Sequence, residues 1–244
     1  MKVAYVGPSL ADAAGQEGVR RARIEGLAVR PPATGGDILR AVEEGAVAVA
    51  LIDGQFGSTE SVHHKELLYA LSLGIRIVGA ASMGALRAVE CASFGMVGLG
   101  TIYARYASGE LDADDAVALA YGPAELGYRG LSEPLVTIES NLLAMVVFGI
   151  LEQEQAARMI AKVRQVHYRE RSLTRVLDTL EGPVRQRALD WLTVHRRDPK
   201  RDDALLALQW LLDAPDRPGD RSDWRMAETA SWIRIKQKAL TVSL

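Results

Sequence analysis

A serine surrounded by small residues is the feature of this sequence with the clearest chemical potential. Ser82 lies in the segment AASMG, residues 80–84, which is close to the G-x-S-x-G pattern of a nucleophile elbow, with alanine at the first position. Such a strand-to-helix turn exposes the serine hydroxyl, and small neighbours such as Gly84 are needed because the backbone is crowded. Its N–H groups also suit an anion or an oxyanion. An ordinary serine N-cap has the same spacing, so three roles stay open: nucleophile, ligand-binding cap and plain cap.

Two basic residues at the start of another predicted helix are potential partners of this serine. His64 shares a helix face with Leu67, Leu68 and Leu71, so we expect its side chain to point inward. Lys65 places a cation in the first turn, where the helix dipole is unfavourable to positive charge. This placement suggests a base or an anion clamp, whereas a lysine directed into solvent is the structural alternative.

Further polar residues fall near the same predicted helix starts. Arg87 is one turn after the serine and could hold a substrate carboxylate or pair with Glu66 or Glu90. Asp53 directly follows an apolar run, where it could orient the histidine or cap a turn. Ser9 follows the first predicted strand in the sequence GPS.

Alternating short apolar runs and amphipathic runs over the first 95 residues are typical of βαβ units. The pattern predicts an α/β fold, with a Rossmann-like open parallel sheet flanked by helices and a mostly helical C-terminal region. The predicted strands are residues 2–6, 27–30, 46–52 and 75–79, and the predicted helices are residues 12–23, 37–44, 60–73 and a further one from Met83.

The carboxyl ends of parallel strands meet at one edge of a sheet, where ligands bind in open α/β folds. Three segments with polar residues reach this edge in the prediction, namely residues 7–9, 53–61 and 79–84. We therefore expect the functional surface around residues 79–87, the segment GAASMGALR.

The pattern changes after about residue 95. A helix is predicted over residues 112–121, and most of the chain after Pro134 is predicted to be helical. We expect a core domain at residues 1–135 and a helical extension at residues 136–244. The glycines of residues 95–100 do not follow a predicted strand, so they are not a dinucleotide fingerprint. The acidic residues 112–115 suit a helix start without a metal; neither a metal nor a cofactor is expected.

Composition argues against several classes of protein. The 244 residues carry a formal net charge of −2, which gives no indication of nucleic-acid binding, and the basic runs at 164–171 and 196–201 are read as solvated helix faces. Cys91 is the single cysteine, as expected for a reducing compartment, so we expect a cytoplasmic protein. The longest apolar run, residues 142–151, is far shorter than the ~20 residues of a spanning helix, so no membrane segment is expected.

With these segments laid out, the sequence resembles the TfuA-like family over roughly residues 1–140. The residues that carry the resemblance are Asp53 to Phe56, Ser61 to Leu68 with its HKE box, the GAASMGALRA segment at 79–88, Gly95 with Gly98, and residues 114–118. One departure is His63, because this position before the HKE box is usually tryptophan in the family. His63 could alter the wall of the pocket or supply a second base.

The resemblance implies a function that spacing alone does not. TfuA-like proteins act beside YcaO-type, ATP-dependent enzymes that convert a peptide-bond amide into a thioamide, for example in a precursor peptide. The TfuA partner is expected to free sulfide from the C-terminal thiocarboxylate of a ThiS-like sulfur carrier. On this basis Ser82 is the nucleophile or a substrate-positioning hydroxyl, and His64 or Lys65 is the base. The residues expected to bind substrate are Arg87, Asp53, Ser9, Gly84 and Glu66.

Two other functions remain open from the sequence. The chain could be a non-catalytic adaptor that presents the carrier or the precursor peptide to the YcaO enzyme. It could also bind a nucleotide or phosphate at the helix after Ser82, although it lacks a Walker or GxGxxG motif.

Overall fold

A five-stranded parallel sheet is the centre of the computed structural model, which describes residues 1–55 and 59–241. The order is β2-β1-β3-β4-β5, and all four neighbouring pairs are parallel. The predicted α/β class is thereby confirmed; Phe56, part of the family resemblance, lies outside the described residues. The strands are β1 (Lys2–Tyr5), β2 (Ala28–Arg30), β3 (Ala48–Leu51), β4 (Arg76–Ala80) and β5 (Val97–Leu99).

Eleven α-helices are found in the described part of the chain. Most of those in the first 95 residues begin within a residue or two of their predicted positions. Asp12, for example, caps α1 by accepting the Gly15 N–H. The helices are α1 (Ala13–Ile24), α2 (Asp37–Glu43), α3 (His64–Ser72), α4 (Met83–Cys91), α5 (Gly100–Ala107), α6 (Leu135–Val147), α7 (Gln153–Arg164), α8 (Leu173–Leu177), α9 (Gly182–His195), α10 (Pro199–Asp213) and α11 (Ala230–Thr241).

Two local predictions were wrong, and one strand, β5, was not predicted. Helix α3 begins at His64 rather than at residue 60, since the Glu66 carboxylate accepts the His63 N–H and so marks the first turn there. The helix predicted at 112–121 is a single 3₁₀ turn at Asp114–Ala116, and the Asp115 carbonyl accepts a hydrogen bond from the Arg171 side chain. The glycine-rich residues 95–100 contain β5, which pairs Gly98 with Gly79.

The described residues form two compact units. One comprises residues 1–111 together with those from 200 onward, and the other comprises residues 112–199. The domain boundary predicted at residue 135 stays a prediction about folding domains. No helix among the described residues is long and apolar enough to cross a membrane.

Both faces of the sheet are covered within the first unit. Side chains from α2, α3 and α4, such as Ile38, Leu67 and Ala88, pack on one face. On the other face α1 packs beside α10, whose contributions include Leu208 and Leu211. Helix α10 follows the second unit in the sequence, yet its apolar side completes the core around the sheet. This placement brings the first turn of α10 into the unit that contains Ser82.

Candidate functional site

The turn between β4 and α4 holds Ser82 in a strained backbone. Ala81 has φ = 65°, in the left-handed region that few non-glycine residues adopt. The Ser82 N–H donates to the Ala80 carbonyl at 2.7 Å, closing a three-residue γ-turn of the rare form with positive φ. Such strain costs about 1–3 kcal/mol and is concentrated at functional sites.

Two glycines allow α4 to start this close to the sheet. A Cβ on Gly84 would lie 1.7 Å from the Leu51 carbonyl oxygen, and one on Gly79 would lie 2.1 Å from the Gly84 carbonyl oxygen. Any side chain at either position would therefore collide with backbone. Gly84 also donates its N–H to the Ile52 carbonyl at 3.2 Å, which ties the start of α4 to the end of β3.

The Ser82 hydroxyl does not cap its own helix. No N–H of α4 donates to this side chain. Instead the hydroxyl oxygen accepts a hydrogen bond from Lys200 Nζ at 3.0 Å. Both residues are only 3% exposed. Of the three roles left open by the sequence, a plain helix cap is the one that this geometry does not support.

Sequence reasoning missed Lys200. It lies 118 residues after Ser82, in the region assigned to a helical extension, and no local pattern links the two. A signal was nevertheless present: Pro199 is the first residue of α10, and proline is favoured at this position. The next residue is then a lysine in a first helical turn, the same unfavourable placement that drew attention to Lys65.

The N–H groups at the start of α4 have different acceptors. Gly84 donates to Ile52 O, and Ala85 donates to Ser82 O. In the described part of the chain, Met83 N–H has no acceptor, and it is the amide that directly follows the serine. One free amide beside the hydroxyl suits an oxyanion, as in a nucleophile elbow. A phosphate cradle would need several free amides.

Asp53 and Ser9 lie at the same edge of the sheet and are bonded to each other. Asp53 Oδ2 accepts the N–H groups of Gly7 and Ser9 at 2.8 and 3.0 Å, while the Ser9 hydroxyl donates to Asp53 Oδ1 at 2.7 Å. Both side chains are buried. Their visible role is to fasten the loop after β1 to the end of β3.

His64 and Arg87 meet on the surface. The prediction that His64 points inward was wrong: its side chain is 50% exposed, and Nε2 lies 2.7 Å from Glu90 Oε2. The reason is that the buried face of α3 is formed by Glu66, Leu67, Ala70 and Leu71, with His64 at its margin.

Arg87 pairs with Glu90, one of the two carboxylates proposed for it from the sequence. Its Nη1 donates to Glu90 Oε2 at 2.7 Å, and its Nε donates to the Val62 carbonyl at 3.0 Å. A substrate carboxylate would therefore compete with Glu90 for this guanidinium.

Lys65 and Glu66 are also engaged away from Ser82. Lys65 Nζ donates to the Thr229 hydroxyl at 2.6 Å and to the Ala227 carbonyl at 3.2 Å. Glu66 is fully buried, and its carboxylate accepts the N–H groups of Gly36 and His63. Burial raises the pKa of Glu66, and these hydrogen bonds partly oppose that effect.

Cys91, the single cysteine, is expected to be chemically inert in the folded protein. It is buried in α4, and this burial raises the pKa of the thiol to about 11. Relative to an ordinary thiol, the reactive thiolate is roughly 100-fold scarcer at neutral pH. Iodoacetamide should therefore modify native protein at least roughly 100-fold more slowly than protein unfolded in guanidinium, followed by mass spectrometry. Rapid modification under native conditions would contradict this placement.

Comparison with known proteins bears on the same region. A protein-family model described as TfuA-like protein matches residues 53–172. No curated protein matches the chain. The matched segment includes Asp53, the turn at Ser82 and Arg87, and it ends before Lys200.

Among the described residues, no three His, Cys, Asp or Glu side chains are grouped so that they could hold a metal ion.

Proposed function

This chain belongs to the TfuA-like family, and we propose that it releases sulfide for YcaO-dependent thioamidation of a peptide backbone. Its substrate in this proposal is the C-terminal thiocarboxylate of a ThiS-like sulfur carrier protein. Hydrolysis of that group is an acyl transfer to water, which yields a carboxylate and hydrogen sulfide.

One observation supports this proposal most directly. The serine on the strained turn at the sheet edge is buried, and its hydroxyl lies 3.0 Å from a buried lysine amine. Acyl transfer needs an oxygen nucleophile or an oriented water, and a donor where negative charge develops. Ser82 supplies the hydroxyl, and the Met83 N–H is placed to serve as the donor. Burial strengthens these electrostatic interactions because little water screens them.

A non-catalytic adaptor is the second candidate, and an apolar surface favours it. In the unit of residues 112–199, the Phe148 ring contacts Trp191 edge-to-face and His195 in a tilted arrangement, with ring centroids 5.6 and 5.4 Å apart. Val147, the last residue of α6, and Val194 of α9 are 81% and 75% exposed. Exposed apolar groups that cluster in this way are typical of protein-binding surfaces.

The two functions differ in a simple assay. Purified chain is incubated with thiocarboxylated ThiS-like carrier in the absence of any YcaO enzyme, and free sulfide is measured over time. We expect one sulfide per carrier, over many turnovers, with carrier bearing an ordinary C-terminal carboxylate as the control. Sulfide that forms only when the YcaO enzyme is added would instead support the adaptor.

A further inference from the structure

A cavity of about 590 Å³ lies at the amino ends of β4 and β5, at the end of the sheet opposite Ser82. Arg76 begins β4 and Val97 begins β5, and both residues line this basal cavity. Helices α3 and α10, which cover opposite faces of the sheet, contribute Leu71 and Trp210 to its wall. The volume is within the range of pockets that bind small ligands or single side chains.

Three aromatic rings line the basal cavity, and they come from different parts of the chain. Trp210 belongs to α10, Phe94 ends the 3₁₀ turn after α4, and Trp224 lies between α10 and α11. The rings of Phe94 and Trp224 meet edge to face, with centroids 5.2 Å apart. Phe94 is 39% exposed, and both tryptophans are half-buried. Aromatic rings that line a concave site while staying in reach of solvent are suited to holding a cationic group.

The segment that carries Trp224 is tied to the base of the sheet. The Gly219 N–H donates to the Gly74 carbonyl at 2.7 Å, and Arg76 Nη1 donates to the Arg217 carbonyl. A Cβ on Gly74 would lie 2.3 Å from the Gly219 carbonyl oxygen, so glycine is required for this close approach. The wall of the cavity is therefore built into the fold.

The charged groups in the wall favour a positively charged ligand. Asp220 and Asp223 line the cavity, and neither carboxylate has a hydrogen bond or an ion pair within the part of the chain that the structure describes. Asp216 on the same segment, by contrast, pairs with Lys2 at 3.2 Å. Arg76 is the one cation among the described lining residues, so two carboxylates and one guanidinium leave the wall with a formal charge of −1.

We propose that the basal cavity binds the side chain of an arginine on a peptide or protein partner. A guanidinium is planar, stacks on tryptophan faces and forms paired hydrogen bonds with a carboxylate. The alkyl stem of the arginine would lie along the aromatic rings. This site is separate from Ser82, and the inference does not rest on the proposed function.

The four tryptophans of the chain allow a test in the wild-type protein. Protein labelled with 5-fluorotryptophan is titrated with the peptide acetyl-Gly-Arg-Gly-amide and followed by fluorine NMR, with single Trp→Phe variants to assign the resonances. We expect the resonances of Trp210 and Trp224 to shift until they saturate. Those of Trp191 and Trp232 should stay fixed, because these residues do not line the cavity.

A matched peptide and a matched variant isolate the contribution of charge. The peptide with citrulline in place of arginine keeps the shape of the side chain without its charge, and it should produce no saturating shift. Asp223→Asn should weaken binding of the arginine peptide about 3–10-fold, since a charge pair at the mouth of the cavity is partly screened. Asp216→Asn removes the same charge from the same segment outside the cavity, and it should leave binding unchanged.

Several results would overturn the proposal. One is the absence of a shift at Trp210 and Trp224 up to the solubility of the arginine peptide. Equal shifts with the citrulline peptide would show that the cavity does not recognise charge, and equal weakening in both aspartate variants would indicate non-specific attraction. Tighter binding of a lysine peptide would exclude arginine as the preferred occupant. None of these measurements involves the carrier or sulfide, so they stand whether or not the proposed function holds.

Discussion

Replacing Ser82 by alanine is expected to lower the rate of sulfide release from thiocarboxylated carrier by about 10³-fold or more. Removal of a nucleophile leaves only the acceleration due to binding and to the N–H donor, and losses of this size or larger are found when a serine nucleophile is deleted. The fold should survive, because the variant loses one hydrogen bond, which is worth about 1–2 kcal/mol. The turn does not require the volume of the missing hydroxyl group.

Ser132→Ala is a suitable control for this variant. Ser132 is also a buried serine whose hydroxyl accepts a single hydrogen bond, from the Ala120 N–H at 2.8 Å, and it lies in the other unit. Both variants should unfold at similar denaturant concentrations, whereas only Ser82→Ala should lose sulfide release. Retention of full activity in Ser82→Ala would exclude serine chemistry and leave a positioning or adaptor role.

Replacing Arg171 by methionine is expected to destabilise the unit of residues 112–199 by about 2–4 kcal/mol. The Arg171 side chain is almost completely buried; its Nη1 and Nη2 donate to the carbonyl and the carboxylate of Asp115, each at 2.7 Å, and its Nε donates to the Val166 carbonyl at 2.9 Å. Methionine would fill much of the stem's volume but leave two carbonyls without this donor, at about 1–3 kcal/mol each.

Hydrogen exchange of peptides from residues 112–199 would report this loss locally, and urea unfolding would report it globally. Arg185→Met provides the contrast: Arg185 pairs with Asp178 at 2.6 Å, but both side chains are nearly half exposed. Such a surface pair contributes about 0–1 kcal/mol. Equal effects of the two substitutions would show that burial of Arg171 does not set its contribution.

The alternation of apolar and amphipathic runs was sufficient to predict most of the sheet. Residues 46–52, for example, are apolar throughout, as a strand covered on both faces must be, and β3 lies in the middle of the sheet. The pattern did not predict β5, which lies within the glycine-rich residues 95–100. Those glycines are present because β5 packs closely, since a Cβ on Gly98 would lie 2.0 Å from the Tyr103 ring. At these residues tertiary packing, rather than intrinsic strand propensity, determines the secondary structure.

For the site, too, some features follow from the local sequence and others only from tertiary contacts. The sequence alone placed Ser82 at a turn between a strand and a helix, because small residues and the change of period mark that turn within a few positions. It could not decide which basic side chain lies beside the serine hydroxyl. The sequence pattern places His64 and Lys65 near the serine, at the same edge of the sheet, yet their side chains are bound to Glu90 and Thr229.

Only the tertiary structure decided that Lys200, 118 residues away, meets the serine hydroxyl. The physical reason is that periodicity encodes which side of a helix is buried, but not which other helix lies beside it. That choice depends on how α10 packs across the sheet and on the anchors of its first turn, where Arg201 pairs with Asp12 and Asp203 binds the start of α5. The sequence therefore determined the strand-to-helix turn and its hydroxyl, while packing determined the chemistry available to that hydroxyl.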